Sequence, residues 1–333
     1  MASNKTSNNS SVGIIGFGSM GARHTANIQE LYPSAAIDIL TDRRVKMDIS
    51  ENIRMYSSQK QFYARPHDIF FITNETSKHA RTVLACLQYN PKGIFVEKPL
   101  SHTLRQVEAI RKAVEQQGIV FFVGYCLQFF APLIFLKKLL REKKIGDILS
   151  MRVSAGKDLR KWRSGDYRKR YSSDKKKGGG VVLDLIHEIN YPAWLLDEEI
   201  SYAKGLTGKI SRLQITSEDI AEGIFASKSG KIISIHLDYM QVPGRRYCEI
   251  VGTKGTLIWE KILIRGSAEN EIKIYVGEKL KITHIQAGGN DMYREELKFF
   301  MRQVHEGNGY SNLAESIRDL RNALALKAHA NIR

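Results

Sequence analysis

Cysteine is scarce in this 333-residue chain, with only Cys86, Cys126 and Cys248, far apart and in no metal-ligand spacing. That excludes a disulfide framework, suggests no metal site, and makes a reducing cytoplasm the expected location. Proline is sparse too, at 7 residues, and no low-complexity tract or internal repeat marks the chain beyond its opening, which removes the disordered and fibrous classes. A long unbroken apolar span is also missing. The nearest candidate, IVFFVGYCLQFFAPLIFL from Ile119 to Leu136, is interrupted by Gly124, Gln128 and Pro132. It is expected to be a buried strand, a turn and a new helix, with no membrane partner. The opening MASNKTSNNSS lacks the apolar core of a secretory signal, so residues 1–11 are expected to form a flexible arm.

What the chain has in excess is positive charge, a formal +16. Such a balance permits attraction to nucleic acid, anionic lipid or an anionic substrate and by itself selects none of them. Basic residues are densest over residues 157–177, KDLRKWRSGDYRKRYSSDKKK, where Trp162, Tyr167 and Tyr171 are interleaved. Two readings of this segment stand side by side: a solvated loop with its aromatics folded inward, and a loop that recognises an anionic substrate. Nucleic acid is the weaker third.

The length suits two domains. From Val12 the chain alternates short apolar runs (VGII, IDILTD, DIFFIT, GIFVEKPL, IVFFVGY) with helical stretches. That alternation predicts an α/β fold with a parallel, doubly wound Rossmann sheet over residues 12–128. Beyond Leu133 the rhythm changes. A strand at ILSMRVSA, the basic loop, and a helix after Gly178-Gly179-Gly180 precede several consecutive strands between Ala203 and Ile285. Strands without intervening helices predict an open-faced, mostly antiparallel sheet in an α+β domain over 129–333, closed by helices near 293–305 and 313–331.

Gly16, Gly18 and Gly21 form GxGxxG between the first strand and the first helix. In that position the first glycine permits a tight turn, the second lets backbone approach a pyrophosphate, and the third lets helix and strand pack closely. Phe17, Ser19 and Met20 belong to the same turn and face the phosphates with the helix N-terminus. Asp42 ends the second strand, where a carboxylate accepts the ribose hydroxyls and repels a 2'-phosphate, so NAD is the expected cofactor. Arg43 and Arg44 beside it leave NADP open.

Glu97-Lys98-Pro99 ends another parallel strand, on the edge where open sheets bind ligands. In GGGVVLDLIHEIN the apolar Val182, Leu185, Ile186, Ile189 and Ala193 fall on one helical face, and Asp184, His187, Glu188 and Tyr191 on the other. Asp184 and His187, three apart, can act on one ligand. Pro192 is expected to kink or end this helix one turn past His187. The triple glycine implies that the backbone there approaches something closely.

Together GFGSMG, ITNETSKHA, VEKPLS, VGY, IGDILS, GGGVVLDLIHEIN, HLDY and EIVGTKGTL make the chain resemble the Gfo/Idh/MocA oxidoreductases over nearly its whole length. The resemblance implies an NAD(P)-dependent dehydrogenase or reductase that moves hydride between nicotinamide and a CH–OH carbon of a sugar or polyol. It implies Lys98 and His187 as acid–base groups with Asp184 as partner, and Thr73, Asn74, His79 and Glu97 beside the cofactor. WRSGDYRKRYSS is similar to a subgroup tied to surface-polysaccharide and acidic-sugar metabolism. Gln128, Trp162, Arg163 and Tyr167 are the candidate substrate contacts, and a homodimer or homotetramer is expected by analogy. The chain departs from the usual pattern in the spacing of Asp184 and His187, separated by two residues where many members have three and some share two, in Asn190 where aspartate is common and Gln128 where arginine often follows, and in Pro192, which cannot donate to the Glu188 carbonyl. Two other functions remain open: NAD-assisted glycoside cleavage on the same scaffold, and a cofactor-binding regulator without turnover.

Overall fold

The computed structural model describes residues 10–43, 50–162, 165–264, 267–328 and 331–332. The chain divides into two compact units. In the first, β1 (Ser11–Ile15), β2 (Ala36–Leu40), β3 (Ile53–Tyr56), β4 (Ile69–Ile72), β5 (Gly93–Glu97) and β6 (Val120–Gly124) form one parallel sheet in the order β3-β2-β1-β4-β5-β6. Both faces of a parallel sheet are covered, and the strands accordingly read as continuous apolar runs: every residue of β4 and β6 is buried. The helices are α1 (Ser19–Leu31), α2 (Gln59–Tyr63), α3 (His79–Leu87) and α4 (Val107–Gln117). Strand β3, IRMY, is only 4 residues long, too short for its alternation to announce it. It pairs with β2 at the sheet's edge.

The first unit ends at Gly124, four residues before the expected boundary, and takes back 293–317 late in the chain. The expected assignment of that segment to the second domain therefore changes. Helix α8 (Asp291–Glu306) turns Phe300 edge-on to Phe71 and Phe95, each at 5.5 Å. Further along, the Asn312 side chain donates to the Val123 carbonyl at 2.9 Å and accepts from its N–H at 2.8 Å, closing the free edge of β6. These contacts span almost two hundred residues of sequence, which local pattern does not reveal.

The second unit holds a sheet of nine strands ordered β14-β13-β12-β11-β7-β10-β9-β8-β15. They are β7 (Ile148–Gly156), β8 (Ile200–Gly208), β9 (Ile220–Ser227), β10 (Ile232–Asp238), β11 (Gly244–Gly252), β12 (Gly255–Ile264), β13 (Ser267–Val276), β14 (Lys279–His284) and the two-residue β15 (Asn331–Ile332). Most pairs are antiparallel. At the centre β7 and β10 run parallel, because the chain between them crosses over through helices before returning. Helices α5 (Ala131–Arg141), α6 (Val181–Asp184) and α7 (His187–Leu196) pack on one face, against β7, β9, β10 and β12. The other face carries exposed Leu206, Ile224, Ile232 and Ile282 among polar residues. Helix α9 (Leu313–Ala328) carries the chain from the first unit into the second. The apolar run at 119–136 resolves into β6, a short 3-10 turn and α5, and no described helix is long and apolar enough to cross a membrane.

Two consequences of α8 can be measured. Phe300→Ala empties a fully buried ring site, and thermal or denaturant unfolding is expected to show a loss of about 3–5 kcal/mol. Glu296, on the same helix and 1% exposed, has its carboxyl pushed well above the usual range by burial and then by the charge of Glu97. A raised carboxyl favours the fold only while protonated, so its contribution is lost as the pH climbs above the ordinary carboxylate range. Glu296→Gln should therefore raise the melting temperature at neutral and alkaline pH, with the gain shrinking on acidification.

Candidate active site

Four segments named from the sequence end strands of the parallel sheet on its carboxyl edge: Gly16–Gly18 after β1, Asp42 after β2, Thr73–Asn74 after β4, and Glu97–Lys98 at β5. The order reverses between β1 and β4, where such sheets open a crevice. Each glycine meets a different constraint. Gly16 has φ +96°, and a Cβ there would lie 2.6 Å from the Asn74 backbone. A Cβ on Gly21 would run into the Gly16 carbonyl. Gly18 is different: an added Cβ meets nothing within 4 Å. That space lies at the start of α1, whose N-cap Gly18 supplies no side-chain hydrogen bond to the free N–H groups.

The surroundings brace this edge. The Thr73 hydroxyl donates to the Gly16 carbonyl at 2.7 Å. His79, 1% exposed, places Nδ1 2.8 Å from the Pro99 carbonyl and Nε2 3.1 Å from that of Asn74, tying the ends of β4 and β5 together. Burial outweighs those contacts and lowers the imidazole's pKa. His79 thus supports the cofactor edge from behind. Asn74 donates to Thr82 at 2.9 Å, while its buried Oδ1 has no acceptor role filled among the described residues. An open glycine cradle and an orphaned amide oxygen on the crevice are what a dinucleotide would use. Phe17 is buried, Ser19 and Asp42 are exposed, Arg23 donates to the Met20 sulfur, and the Arg43 N–H donates to Thr41. Arg44 lies outside the described residues.

Glu97 accepts from or donates to His24 Nε2 at 2.7 Å according to protonation, and sequence gave His24 no role. Burial alone would raise the Glu97 carboxyl, but the His24 contact and the nearby Lys98 and His79 hold it below the usual range. The two carboxyls are thus pushed apart, Glu97 downward and Glu296 upward through burial and the charge of Glu97.

In the second unit, GGGVVLDLIHEIN is not one amphipathic helix. It breaks at Leu185–Ile186 into α6 and α7, and every residue from Gly178 to Ala193 is buried. The polar face is satisfied by the sheet. The Tyr239 hydroxyl, just past β10, donates to Asp184 Oδ2 at 2.6 Å. Burial and the Asp184 charge push that phenol far up, so it remains a donor. Arg246 pairs with wholly buried Glu188 at 2.8 Å. Asp184 thus closes α6 and His187 opens α7, both about 5% exposed. His187 Nε2 stands 3.8 Å from Cys126 Sγ. Pro192 does not end α7, which runs on to Leu196. The glycines do approach something closely, and it is the protein itself: a Cβ on Gly179 would strike the Tyr171 and Ser172 carbonyls, and one on Gly180 the Glu218 carboxylate.

Gln128 donates to Asn190 Oδ1 at 3.0 Å, and Asn190 donates to buried Asp319 at 2.8 Å. The two departures from the usual pattern are therefore partners in one chain of amides. In the basic loop, Asp158, Asp166 and Asp174 each accept from the backbone N–H two residues on, capping successive 3-10 turns. Asp158 and Asp166 also pair with Arg160 and Arg168. Trp162 lies edge-on to Tyr239 at 5.5 Å, and Trp162, Tyr167, Arg170, Leu159 and Ser172 line a small open pocket. Arg163 lies outside the described residues. Tyr239, Cys126, His24 and Arg246 were not singled out as site residues because each is brought in by tertiary contact; only the HLDY motif hinted at Tyr239.

The glycines separate fold from binding. Gly21→Ala should lower the melting temperature by several degrees through its clash with Gly16. Gly18→Ala should leave it unchanged while weakening NADH about tenfold or more, read by nucleotide fluorescence.

A family model described as "Oxidoreductase family, NAD-binding Rossmann fold" matches residues 10–125, and the Gfo/Idh/MocA C-terminal domain model matches residues 134–258. Myo-inositol 2-dehydrogenase of Thermotoga maritima is 23% identical over 306 residues, covering 89% of this chain and 88% of that protein. Among solved structures, levoglucosan dehydrogenase in complex with NADH superposes with a TM-score of 0.79 at 20% identity, over 96% of each chain. A 3-ketoreductase from Actinomadura kijaniata in complex with NADP and TDP-benzene does so at 0.81 and 16% identity, over 98% of this chain and 99% of that one. With both halves matched, the chain belongs to the Gfo/Idh/MocA family of NAD(P)-dependent oxidoreductases.

Proposed function

We propose that this protein oxidises a hydroxyl-bearing carbon of a sugar or polyol, or reduces the corresponding carbonyl, with His187 as the acid–base group, Asp184 its partner and Lys98 the polarising cation. The observation that carries the proposal is the break between α6 and α7. It presents a carboxylate and an imidazole from a buried segment, and a tyrosine that stays protonated holds the carboxylate in place. A solvated surface helix has no use for that arrangement, whereas proton transfer near neutrality does.

Bound nicotinamide supplies the hydride acceptor in one direction and the donor in the other. His187 takes the hydroxyl proton as the carbonyl forms and returns it on reduction. Lys98, following the charged Glu97 on the carboxyl edge, stabilises negative charge on the same oxygen. Asp184 orients the imidazole or a neighbouring hydroxyl. Gly18 and the α1 N-terminus would seat the pyrophosphate on the turn that Gly16 and Gly21 shape, Asn74 Oδ1 would accept from the cofactor, and the exposed Asp42 carboxylate would favour NAD over NADP with Arg43 beside it. Trp162, Tyr167 and Gln128 are the proposed substrate contacts. The substrate class follows the names of relatives, among them the inositol and levoglucosan dehydrogenases. The apolar residues exposed on the outer sheet face support self-association.

The test is nicotinamide absorbance with a panel of sugars, polyols and sugar nucleotides. His187→Ala and Lys98→Ala are each expected to lower kcat by about a hundredfold or more while His187→Ala keeps NADH affinity. Cofactor binding without net turnover of any substrate would instead favour internal redox chemistry, as in glycoside cleavage, or a regulator.

A further inference from the structure

The inner face of the second unit's sheet is apolar along most of its width: Cys248, Ile250, Leu257 and Trp259 are fully buried on it. At one end it turns cationic. Register places Arg246 on β11 beside Lys261 on β12, and antiparallel partners share a face. Lys157 follows the last residue of β7, the strand that pairs with β11 on its other side.

These cations are not equally matched. Arg246 is taken up by Glu188, the residue after His187. Lys261 meets no carboxylate among the described residues; its ammonium lies 4.7 Å from the centre of the Phe130 ring. Burial, then the charges of Arg246 and Lys157, lower its pKa to about 8, with the Cys126 thiol acting the other way. Burial lowers Lys157 as well. Cys126 in turn is the residue 3.8 Å from His187 Nε2. A lysine half-buried among cations is a poor device for stability, and an incoming anion would relieve it. The contact of its ammonium with Phe130 explains the position of Lys261 and leaves the clustering of the two other cations beside it unexplained.

We propose that Lys261, supported by Arg246 and Lys157, forms a subsite for an anionic oxygen group, carboxylate or phosphate, on the molecule whose hydroxyl His187 serves. Identification of that molecule as the substrate rests on the oxidoreductase reading; the anion site itself does not.

Calorimetric titration of the NADH-loaded protein with glucose, glucuronate and glucose 6-phosphate tests it. One or both acids should bind more tightly than glucose, and the preferred acid identifies carboxylate or phosphate. Lys261→Gln, which breaks no ion pair, should reduce that preference about tenfold or more, Lys261→Arg should restore it, and Lys204→Gln on exposed β8 should not change it. Glucuronate keeps its charge across the neutral range, so its binding should weaken as the pH rises through about 8 and Lys261 loses its proton. Equal or absent binding of all three sugars, or a preference that survives in Lys261→Gln, overturns the subsite. Anion preference lost in Lys261→Gln in a protein that reduces no nucleotide keeps the subsite and overturns the hydride-transfer reading instead. Turnover of neutral and acidic sugars alike does the reverse.

Discussion

Backbone meets backbone where β1 ends, and the first unit is arranged around that contact. Gly16 approaches the main chain of Asn74 so closely that a single methyl group would not fit, and Gly21 bears on the Gly16 carbonyl in turn. With no side chains in the way, Thr73 can reach the Gly16 carbonyl and His79 can bridge the ends of β4 and β5. The crevice edge is therefore rigid before any ligand enters, which is how binding energy is kept from being spent on ordering a loop. Of the three glycines in the turn, Gly18 faces open space.

The second unit solves a different problem, that of keeping polar groups inside a packed layer. Asp184, Glu188, Asn190 and Asp319 are all buried, and each finds its partner at long range: Tyr239, Arg246, Gln128 and Asn190 respectively. A buried carboxylate without such a partner costs several kcal/mol. These pairs therefore fix where α6 and α7 can rest on the sheet, and with them the bearing of His187.

The division between what the sequence disclosed and what it withheld follows this distinction. The glycine turn, Asp42, Glu97-Lys98 and the Asp184/His187 segment were legible because their logic is local, a matter of spacing along one strand or turn. The nine-strand sheet could be anticipated from runs of strands, but the parallel pairing of β7 with β10 could not, since it depends on a crossover. Strand β3 is too short to stand out. What the polar face of GGGVVLDLIHEIN packs against was not legible, because periodicity tells which residues lie together and not what they lie against. Helix α8 was assigned to the wrong unit for the same reason: its Phe300 finds Phe71 and Phe95 only in three dimensions.

The basic loop is built in yet another way. Asp158, Asp166 and Asp174 recur at a spacing of eight residues, each closing its own 3-10 turn. Shape in this segment is written partly in these short turns and partly in bonds to its surroundings: the Leu159 N–H donates to the Tyr239 carbonyl, and the Ser173 carbonyl accepts from the Thr216 N–H. The side chains that the loop leaves exposed, such as Lys161 and Lys169, can consequently be exchanged while its backbone stays as it is. A lineage can thereby vary the exposed charge of the loop without rebuilding its main chain.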